Sequence, residues 1–164
     1  MWQLGTPEKG VGVVAMTNGG SYRVSLHVSH PTRSADQVIS SIGLETRYAR
    51  SVGEPRVTPS GNPLGDAYAR TDVSFRVSDG VVHNHDILVA DYVDRTLDRV
   101  PLEAISEMVR SGGSCFLLLG IYAEASLLCD FSPMLLSRLA PNGIGLKLDF
   151  YGGPENSEDS AGEL

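Results

Sequence analysis

The most regular stretch of this sequence is Tyr22-Arg-Val-Ser-Leu-His-Val-Ser-His30. Every second residue in it is apolar, which is the period of a β-strand with one buried face. The stretch therefore predicts a strand with two chemically different sides. The side predicted to face a core carries Tyr22, Val24, Leu26 and Val28, and the side predicted to face outward carries Arg23, Ser25, His27 and Ser29.

A short helix is predicted directly after this strand, over Ser34-Ala-Asp-Gln-Val-Ile-Ser-Ser-Ile-Gly43. Ser34 and Gln37 have the spacing of a capping box, in which each side chain accepts a hydrogen bond from the other residue's backbone N–H. Gly43 suits the left-handed residue that ends many helices. Thr46–Val52 predicts a short edge strand, so the region from Tyr22 to Val52 forms a strand–helix–strand unit.

A second unit of the same layout is predicted near the end of the chain. It consists of a strand over Ala125–Phe131, a helix that opens at Ser132-Pro133, and a strand over Gly145–Tyr151. Between the two units the patterns predict a loop over residues 53–67, a strand over 70–78, a turn over 79–85, two helices over 86–110 separated at Pro101, and a central strand over 115–122 that is buried on both faces.

These elements predict an α+β fold with a mixed, mainly antiparallel sheet, helices on one face, and two ferredoxin-like β-α-β halves. A chain of 164 residues is usually one domain, here placed at residues 21–153. Residues 1–20 are interpreted as an N-terminal arm or hairpin, and residues 154–164, with four acidic residues, as a disordered acidic tail.

Composition narrows the predicted location and the class of partner. The sequence has no apolar run of membrane-spanning length and no secretory signal pattern, which predicts a cytoplasmic protein with no membrane association. The formal net charge of −7 argues against a nucleic-acid partner, because affinity for phosphates comes from clustered cations. The charge is uneven, since residues 23–76 carry seven arginines against five acids.

Several parts of the chain resemble the bacterial domain of unknown function 4279 family. The opening part is carried by Val24–Ser29, the helix Ala35–Ile42, Gly43-Leu44-Glu45 and Gly53-Glu54. The closing part is carried by the helix pair, by Phe116–Tyr122, and by Gly143-Ile-Gly-Leu-Lys-Leu-Asp-Phe-Tyr151. The resemblance covers about residues 21–153 and implies neither an established activity nor catalytic residues.

A metal site is one candidate for chemistry. His83 and His85 lie two residues apart in His83-Asn-His-Asp86, and His27 or His30 could complete a set of ligands. The alternative is a polar turn with solvated histidines, and the sequence favours it because no second half of a zinc motif is present. No cofactor is predicted.

Nucleophilic and acid–base sites are weaker candidates. Cys115 and Cys129 lie among apolar residues, which favours inert, reduced thiols over reactive ones or a disulfide. Asp72 could pair with Asp130 or Asp149 if their strands are neighbours, although outward acids that pair with basic residues are the simpler interpretation.

The favoured candidate is a surface made by outward strand positions and an arginine-rich loop. Arginine is the residue best suited to bind carboxylates, phosphates and protein surfaces. The alternative is an ordinary solvated sheet face with weak ion pairs. The predicted binding residues are Arg23, His27, Arg47, Arg50, Arg56, Arg70, Arg76 and Tyr151.

The sequence thus predicts a non-catalytic binding domain whose partner is a protein or a small anionic ligand. By analogy with other small acidic proteins, an immunity or accessory role that masks a partner's active site is the expected context. One competing hypothesis is a small metal-dependent enzyme that uses His83 and His85. Another is a structural domain that dimerises through an edge strand, so both a monomer and a homodimer are compatible with the sequence.

Overall fold

Strand β1 (Ser21–His30), formed by the alternating stretch, lies in the middle of the sheet. The computed structural model describes residues 20–83, 87–123 and 129–152. The other strands in these residues are β2 (Thr46–Arg50), β3 (Pro55–Val57), β4 (Pro63–Ala67), β5 (Thr71–Arg76), β6 (Val82–His83), β7 (Ser114–Tyr122) and β8 (Ile144–Tyr151). The helices are α1 (Ala35–Ile42), α2 (Val89–Leu97), α3 (Leu102–Arg110) and α4 (Pro133–Leu139), and a 3₁₀ turn, Ala140–Asn142, follows α4.

The main sheet has the strand order β2-β5-β1-β7-β8. β1 is antiparallel to both β5 and β7, β2 is antiparallel to β5, and β7 is parallel to β8. β6 pairs with the first two residues of β1, while β3 and β4 form a separate hairpin. The predicted α+β class with a mixed, mainly antiparallel sheet is confirmed.

The local signals around α1 are confirmed in detail. The Ser34 side chain accepts a hydrogen bond from the Gln37 backbone N–H, and the Gln37 side chain accepts one from the Ser34 backbone N–H. Gly43 ends the helix with φ of +69°, a left-handed conformation that a residue with a Cβ rarely adopts. Val38 and Ile42 lie on the buried face of the helix.

The core lies between the sheet and the helices. Along β5 and β7 its strand residues alternate with exposed or half-buried neighbours, as a strand with one covered face requires, and β1 follows the same pattern except at Ser25, which is buried. Burying a large apolar side chain contributes about 1.5–3 kcal/mol, so this layer supplies much of the stability of the fold. The core side chains of the sheet with no more than 2% exposure are Tyr22, Val24, Leu26, Val28, Val73, Phe75, Leu117, Leu119 and Ile121.

The prediction that β7 is buried on both faces is wrong. Cys115, Leu117, Leu119 and Ile121 are buried, but the residues between them are half-buried or exposed. An apolar run can be read as a two-sided strand only if both faces of the sheet are covered. Here the helices cover one face, so Phe116 lies on the other.

The second strand–helix–strand unit differs from its prediction. Residues 124–128 lie outside the described residues, and Cys129–Phe131 are not in a strand. The strand before α4 is β7, which pairs in parallel with β8 after the crossover. In the first unit, by contrast, β5 lies between β1 and β2. The two units are therefore unlike each other, and two ferredoxin-like halves are not confirmed.

Two segments predicted as irregular contain short strands. The predicted loop over residues 53–67 includes the β3–β4 hairpin, which the ion pair between Arg56 and Asp66 bridges at 2.6 Å. The predicted turn over residues 79–85 includes β6. These three strands are too short for their residue patterns to show a period.

Three further predictions fall partly or wholly outside the described residues. They concern the N-terminal arm, the acidic tail from residue 154, and His85. Among the helices of the described ranges, none has the length and apolar character needed to span a membrane.

Candidate functional site

The sheet face opposite the helices is the candidate site, and we call it the open face. Its members follow from the strand pairing and from the alternation of burial along each strand. Polar, charged and aromatic side chains make up most of it. Its residues are Tyr48 and Arg50 on β2, Asp72, Ser74 and Arg76 on β5, Arg23, Ser25, His27 and Ser29 on β1, Phe116, Leu118, Gly120 and Tyr122 on β7, and Gly145, Lys147, Asp149 and Tyr151 on β8.

A stacked cluster occupies the middle of the open face. The rings of His27 and Phe116 lie on paired positions with centroids 4.9 Å apart and an interplanar angle of 3°. The Lys147 ammonium lies 3.7 Å from the centre of the Phe116 ring, a cation–π contact. Ser25 Oγ is 3.0 Å from Nε2 of His27. These contacts fix the side chains in position.

The charge state of His27 reflects this cluster. Burial lowers the pKa of His27 below its ordinary value of 6.5, and the positive charge of Lys147 lowers it further. The carboxylate of Asp72 opposes both effects by raising it. The neutral form of the ring is therefore favoured, and a negative charge brought to this face would favour its protonation.

A second pair of rings lies toward one edge of the open face. Tyr122 and Tyr151 are paired residues of β7 and β8, and their rings stack with centroids 4.7 Å apart. The Tyr151 hydroxyl donates a hydrogen bond to Asp149, which raises the pKa of Tyr151. Both tyrosines are at least 41% exposed, so they present a flat aromatic surface to solvent.

Arg50 lies at the opposite edge and is held by internal contacts. Its Nε and Nη2 donate hydrogen bonds of 2.9 and 2.7 Å to one carboxylate oxygen of Asp72. Its guanidinium also lies 4.8 Å from the centre of the Tyr68 ring and 5.9 Å from that of Tyr48. Arg50 therefore ties β2 to β5 and has little capacity left for a partner.

Three other predicted residues come together at the end of β5. Arg23, Arg47 and Arg76 line one cavity of about 90 Å³, with Ser78 and Asp79 among the other lining residues. Arg47 lies where the pairing of β2 with β5 shifts register, between Thr46 and Tyr48. Such a bulge redirects a side chain relative to its neighbours.

Two predicted binding residues lie away from the cavity that Arg23, Arg47 and Arg76 line. Arg56 belongs to the β3–β4 hairpin outside the main sheet and pairs with Asp66. Arg70 directly precedes β5, six residues from Arg76, which places them roughly 20 Å apart along an extended chain. Arg70 lines a different shallow cavity together with Ser29 and Ser114.

The histidines predicted as metal ligands are spread along β1. His83 pairs with Ser21 at one end of the strand, whereas His27 lies six residues further on, about 20 Å away. His30 is buried at the far end, where its Nδ1 accepts hydrogen bonds from the N–H groups of Thr32 and Arg33. Neither His27 nor His30 can share a metal ion with His83 in this arrangement.

No cluster of three or more potential metal ligands occurs within residues 20–83, 87–123 and 129–152. The remaining pair, His83 with His85, stays a prediction because His85 is outside the described residues.

The other chemical candidates are held apart or shielded. Cys115 is buried, which raises the pKa of its thiol to about 12, and burial also raises the pKa of Cys129. Asp72 and Asp149 lie on strands three places apart in the sheet, roughly 14 Å across the strands, and their register places them six residues, about 20 Å, apart along the strands. Both separations exceed the spacing of paired catalytic carboxylates. Asp130 is exposed and outside any strand.

Sequence reasoning missed Phe116 as a member of the site. It occurs inside an apolar run and carries no functional signal of its own. The prediction of helices on one face contained the missing information, because every second residue of a central strand must then lie on the uncovered face. Phe116 lies on the face predicted for His27, and pairing of these two residues could have been inferred only from the register.

Comparison of the chain with family models, with curated proteins and with solved structures finds no match. The resemblance to the domain of unknown function 4279 family therefore stays a prediction, and the candidate function depends on the geometry of the open face.

Proposed function

We propose that this chain is a non-catalytic binding domain that recognises an acidic surface of a partner protein with the open face of its sheet. The observation that carries the proposal is the composition of that face. Two stacked ring pairs, His27 with Phe116 and Tyr122 with Tyr151, lie among arginine and lysine side chains on a sheet face that no helix of the described residues covers.

Aromatic residues and arginine are the residue types enriched at the centres of protein interfaces. Binding normally has an entropic cost for each flexible side chain that becomes ordered. Phe116 is already held between the His27 ring and the Lys147 ammonium, and Tyr151 between Tyr122 and Asp149. This pre-organisation supports a recognition surface over an ordinary solvated face.

The charge of the open face supports an acidic partner. Its cations are Arg23, Arg50, Arg76 and Lys147, while its acids are Asp72 and Asp149, and Asp72 already binds Arg50. The face is thus basic on a chain whose net charge is −7. Complementary charge steers association and suppresses wrong partners.

A small metal-dependent enzyme is the less favoured function, because the described histidines do not converge. The surroundings of Cys115 and Cys129 also disfavour a thiolate nucleophile. The cytoplasmic location, predicted from the sequence patterns, and the immunity or accessory role, predicted by analogy, both remain predictions.

Affinity capture from the native host with matched variants tests the proposal. The open-face variants are Tyr122→Ala and Arg76→Glu, and the control variants are Met134→Ala and Arg110→Glu, which alter exposed helix positions. The expected result is a protein retained by the wild type and by both controls but lost from both open-face variants. The retained protein is then purified and its Kd is measured at two salt concentrations.

Equal retention by all four variants would contradict the proposal. Capture of single-stranded RNA in place of a protein would also contradict it, although aromatic sheet faces can stack bases. We expect the Kd to be larger at the higher salt concentration, because the interaction depends on charge and salt screens it.

A further inference from the structure

The cavity lined by Arg23, Arg47 and Arg76 arises from a change of strand partner. Along one edge of β1, residues Ser25–His30 pair with β5, whereas Ser21 and Tyr22 pair with β6. Arg23 and Val24 lie at the change and line the cavity, as does the connecting segment Ser78–Gly80. The gap between two strands that bond to the same edge leaves space for a ligand.

The residues that line this cavity carry more positive than negative charge, with three arginines and one aspartate. Among the described residues, no carboxylate lies within ion-pair distance of Arg23 or Arg47. Arg76 lies 3.4 Å from Glu45, but both side chains are about half exposed or more, so this pair is weak.

The carboxylate of Asp79 does not cancel this charge. Its Oδ2 lies 2.7 Å from Nη2 of Arg99, an arginine outside the cavity lining, and the two side chains form an ion pair. That hydrogen bond and the charge of Arg99 lower the pKa of Asp79, and the charge of Arg76 contributes less. Four arginines, Arg23, Arg47, Arg76 and Arg99, therefore lie near two carboxylates, those of Glu45 and Asp79, at this corner of the sheet. Among the described residues, Arg23 and Arg47 have no acidic partner.

The size of the cavity limits what it can hold. Pockets for whole drug-sized ligands measure roughly 300–1,000 Å³, whereas this one measures about 90 Å³. It therefore has space for a single small group. Three of its lining residues are arginines, and the fixed N–H forks of guanidinium groups match the oxygens of carboxylates and phosphates.

We propose that this cavity binds a phosphate-class oxyanion, either as the free anion or as a monoester group of a larger ligand. A phosphate monoester carries a charge of about −1.5 to −2 and three strong acceptor oxygens, enough for one oxygen per arginine. A carboxylate has a single negative charge and two oxygens, so it neutralises less of the charge of the three arginines and offers fewer acceptor positions. The inference rests on the proposed function, since it assigns one ligand group to the same basic face.

The Oγ of Ser78 is not a ligand-binding donor in this site. It donates a 3.0 Å hydrogen bond to the backbone carbonyl of Val24 and is buried. That bond holds the segment after β5 against β1 and so maintains the wall of the cavity. Ser78 is thus a positioning residue, and the arginines are the binding residues.

Titration with sodium phosphate, followed by ¹H–¹⁵N NMR at constant ionic strength, tests the inference. We expect saturable shifts of the Arg Nε–H signals of Arg23, Arg47 and Arg76, and no saturation with sodium acetate. Arg47→Gln and Arg23→Gln should each weaken phosphate binding about ten- to hundredfold, the effect of losing a charged hydrogen bond.

Arg70→Gln is the matched control, because it removes the same charge from an exposed arginine at the other end of β5. Its Kd for phosphate should equal that of the wild type within twofold. Equal weakening by Arg70→Gln and Arg47→Gln, or an equal response to acetate, would overturn the proposal. An unchanged NMR spectrum outside the cavity confirms that each variant is folded.

The two sources of the anion are separated by titrating O-phosphoserine amide beside inorganic phosphate. A lower Kd for the monoester assigns the cavity to a phosphorylated ligand, and an equal or higher Kd assigns it to the free anion. The inference and the proposed function can fail independently. If phosphate does not bind while partner capture still requires Tyr122, only the inference fails. If phosphate binds while no protein is captured, only the proposed function fails.

Discussion

The ring of His27 lies parallel to the ring of Phe116, 4.9 Å away, with the Lys147 ammonium at 3.7 Å from the same Phe116 ring. A neutral imidazole suits this position, because burial and the nearby cation both disfavour the imidazolium. The cluster therefore couples the protonation of one side chain to the charges around it, and this coupling can be measured.

We expect an NMR titration of wild-type protein to give a pKa for His27 below 6.5. Lys147→Gln should raise that pKa, since it removes the repulsive cation, and Asp72→Asn should lower it, since it removes the favourable anion. A pKa that stays the same in both variants would show that burial alone sets it.

The same group makes stability depend on pH in a defined direction. The unfolded chain binds the His27 proton with a pKa near 6.5, while the folded chain binds it only at lower pH. As the pH falls through 6.5 toward the folded pKa, the unfolded state takes up more protons and the free energy of unfolding decreases. His27→Gln should reduce this decrease, as measured by urea unfolding at pH 8 and pH 5.

Arg50 and Arg47 should respond differently to replacement, although they are close in sequence. Arg50→Ala removes two hydrogen bonds to Asp72 and two ring contacts, so we expect a loss of about 1 kcal/mol in the free energy of unfolding. Arg47→Ala should change stability by less than about 0.5 kcal/mol, because Arg47 is exposed and has no ion pair among the described residues. Urea unfolding of both variants provides the measurement, and equal losses would contradict the difference in their contacts.

His30 should be important for stability and not for binding. Its Nδ1 accepts hydrogen bonds from the Arg33 N–H at 2.9 Å and the Thr32 N–H at 3.2 Å, while Nε2 lies 3.3 Å from Ser111 Oγ. His30→Ala leaves these N–H groups without their acceptor and creates a cavity, so we expect a loss of about 2–4 kcal/mol.

His30→Asn is the informative second variant. The Asn side-chain oxygen can take the position of Nδ1, since a short side-chain acceptor near the backbone forms the same kind of turn. It should therefore recover part of the stability in urea unfolding. A His30→Asn variant as unstable as His30→Ala would show that ring packing dominates over the hydrogen bonds.

Cys115 should be chemically inert in the folded protein. Burial raises the pKa of its thiol to about 12, so almost no thiolate exists at pH 8. In a Cys129→Ser background, labelling with a thiol reagent should be slow without denaturant and should become fast across the urea unfolding transition. Fast labelling in the absence of denaturant would mean that β7 opens locally.

Local signals predicted the elements whose stabilising contacts are also local. The bonds between Ser34 and Gln37, and the conformation of Gly43, involve residues only a few positions apart, so the sequence contains all that is needed to infer α1. The β3–β4 hairpin is different, because the Arg56–Asp66 ion pair joins residues of two strands that show no alternation. No local pattern reveals such a pair.

The site could be predicted only in part for the same reason. Arg23, Arg47 and Arg76 were identifiable as cations, but their convergence depends on three strands of defined register. Arg50 resembled them in sequence and proved to be held by Asp72, a partner 22 positions away in the chain. Strand pairing decides which arginines remain available to bind a ligand. Residue type and spacing in the sequence do not determine that pairing.

The pairing of β1 with β7 has a consequence for how the chain folds. Ser29 pairs with Ser114 and Ser21 with Tyr122, so the middle of the sheet forms only when segments roughly 85 to 100 residues apart meet. The entropy of closing so large a loop is lost before the contacts that compensate for it exist, which slows folding in proteins rich in such pairings. The strand with the clearest pattern in the sequence is thus expected to complete its native pairing late. It can pair with the nearer β5 first, and until β7 arrives its other edge has no partner.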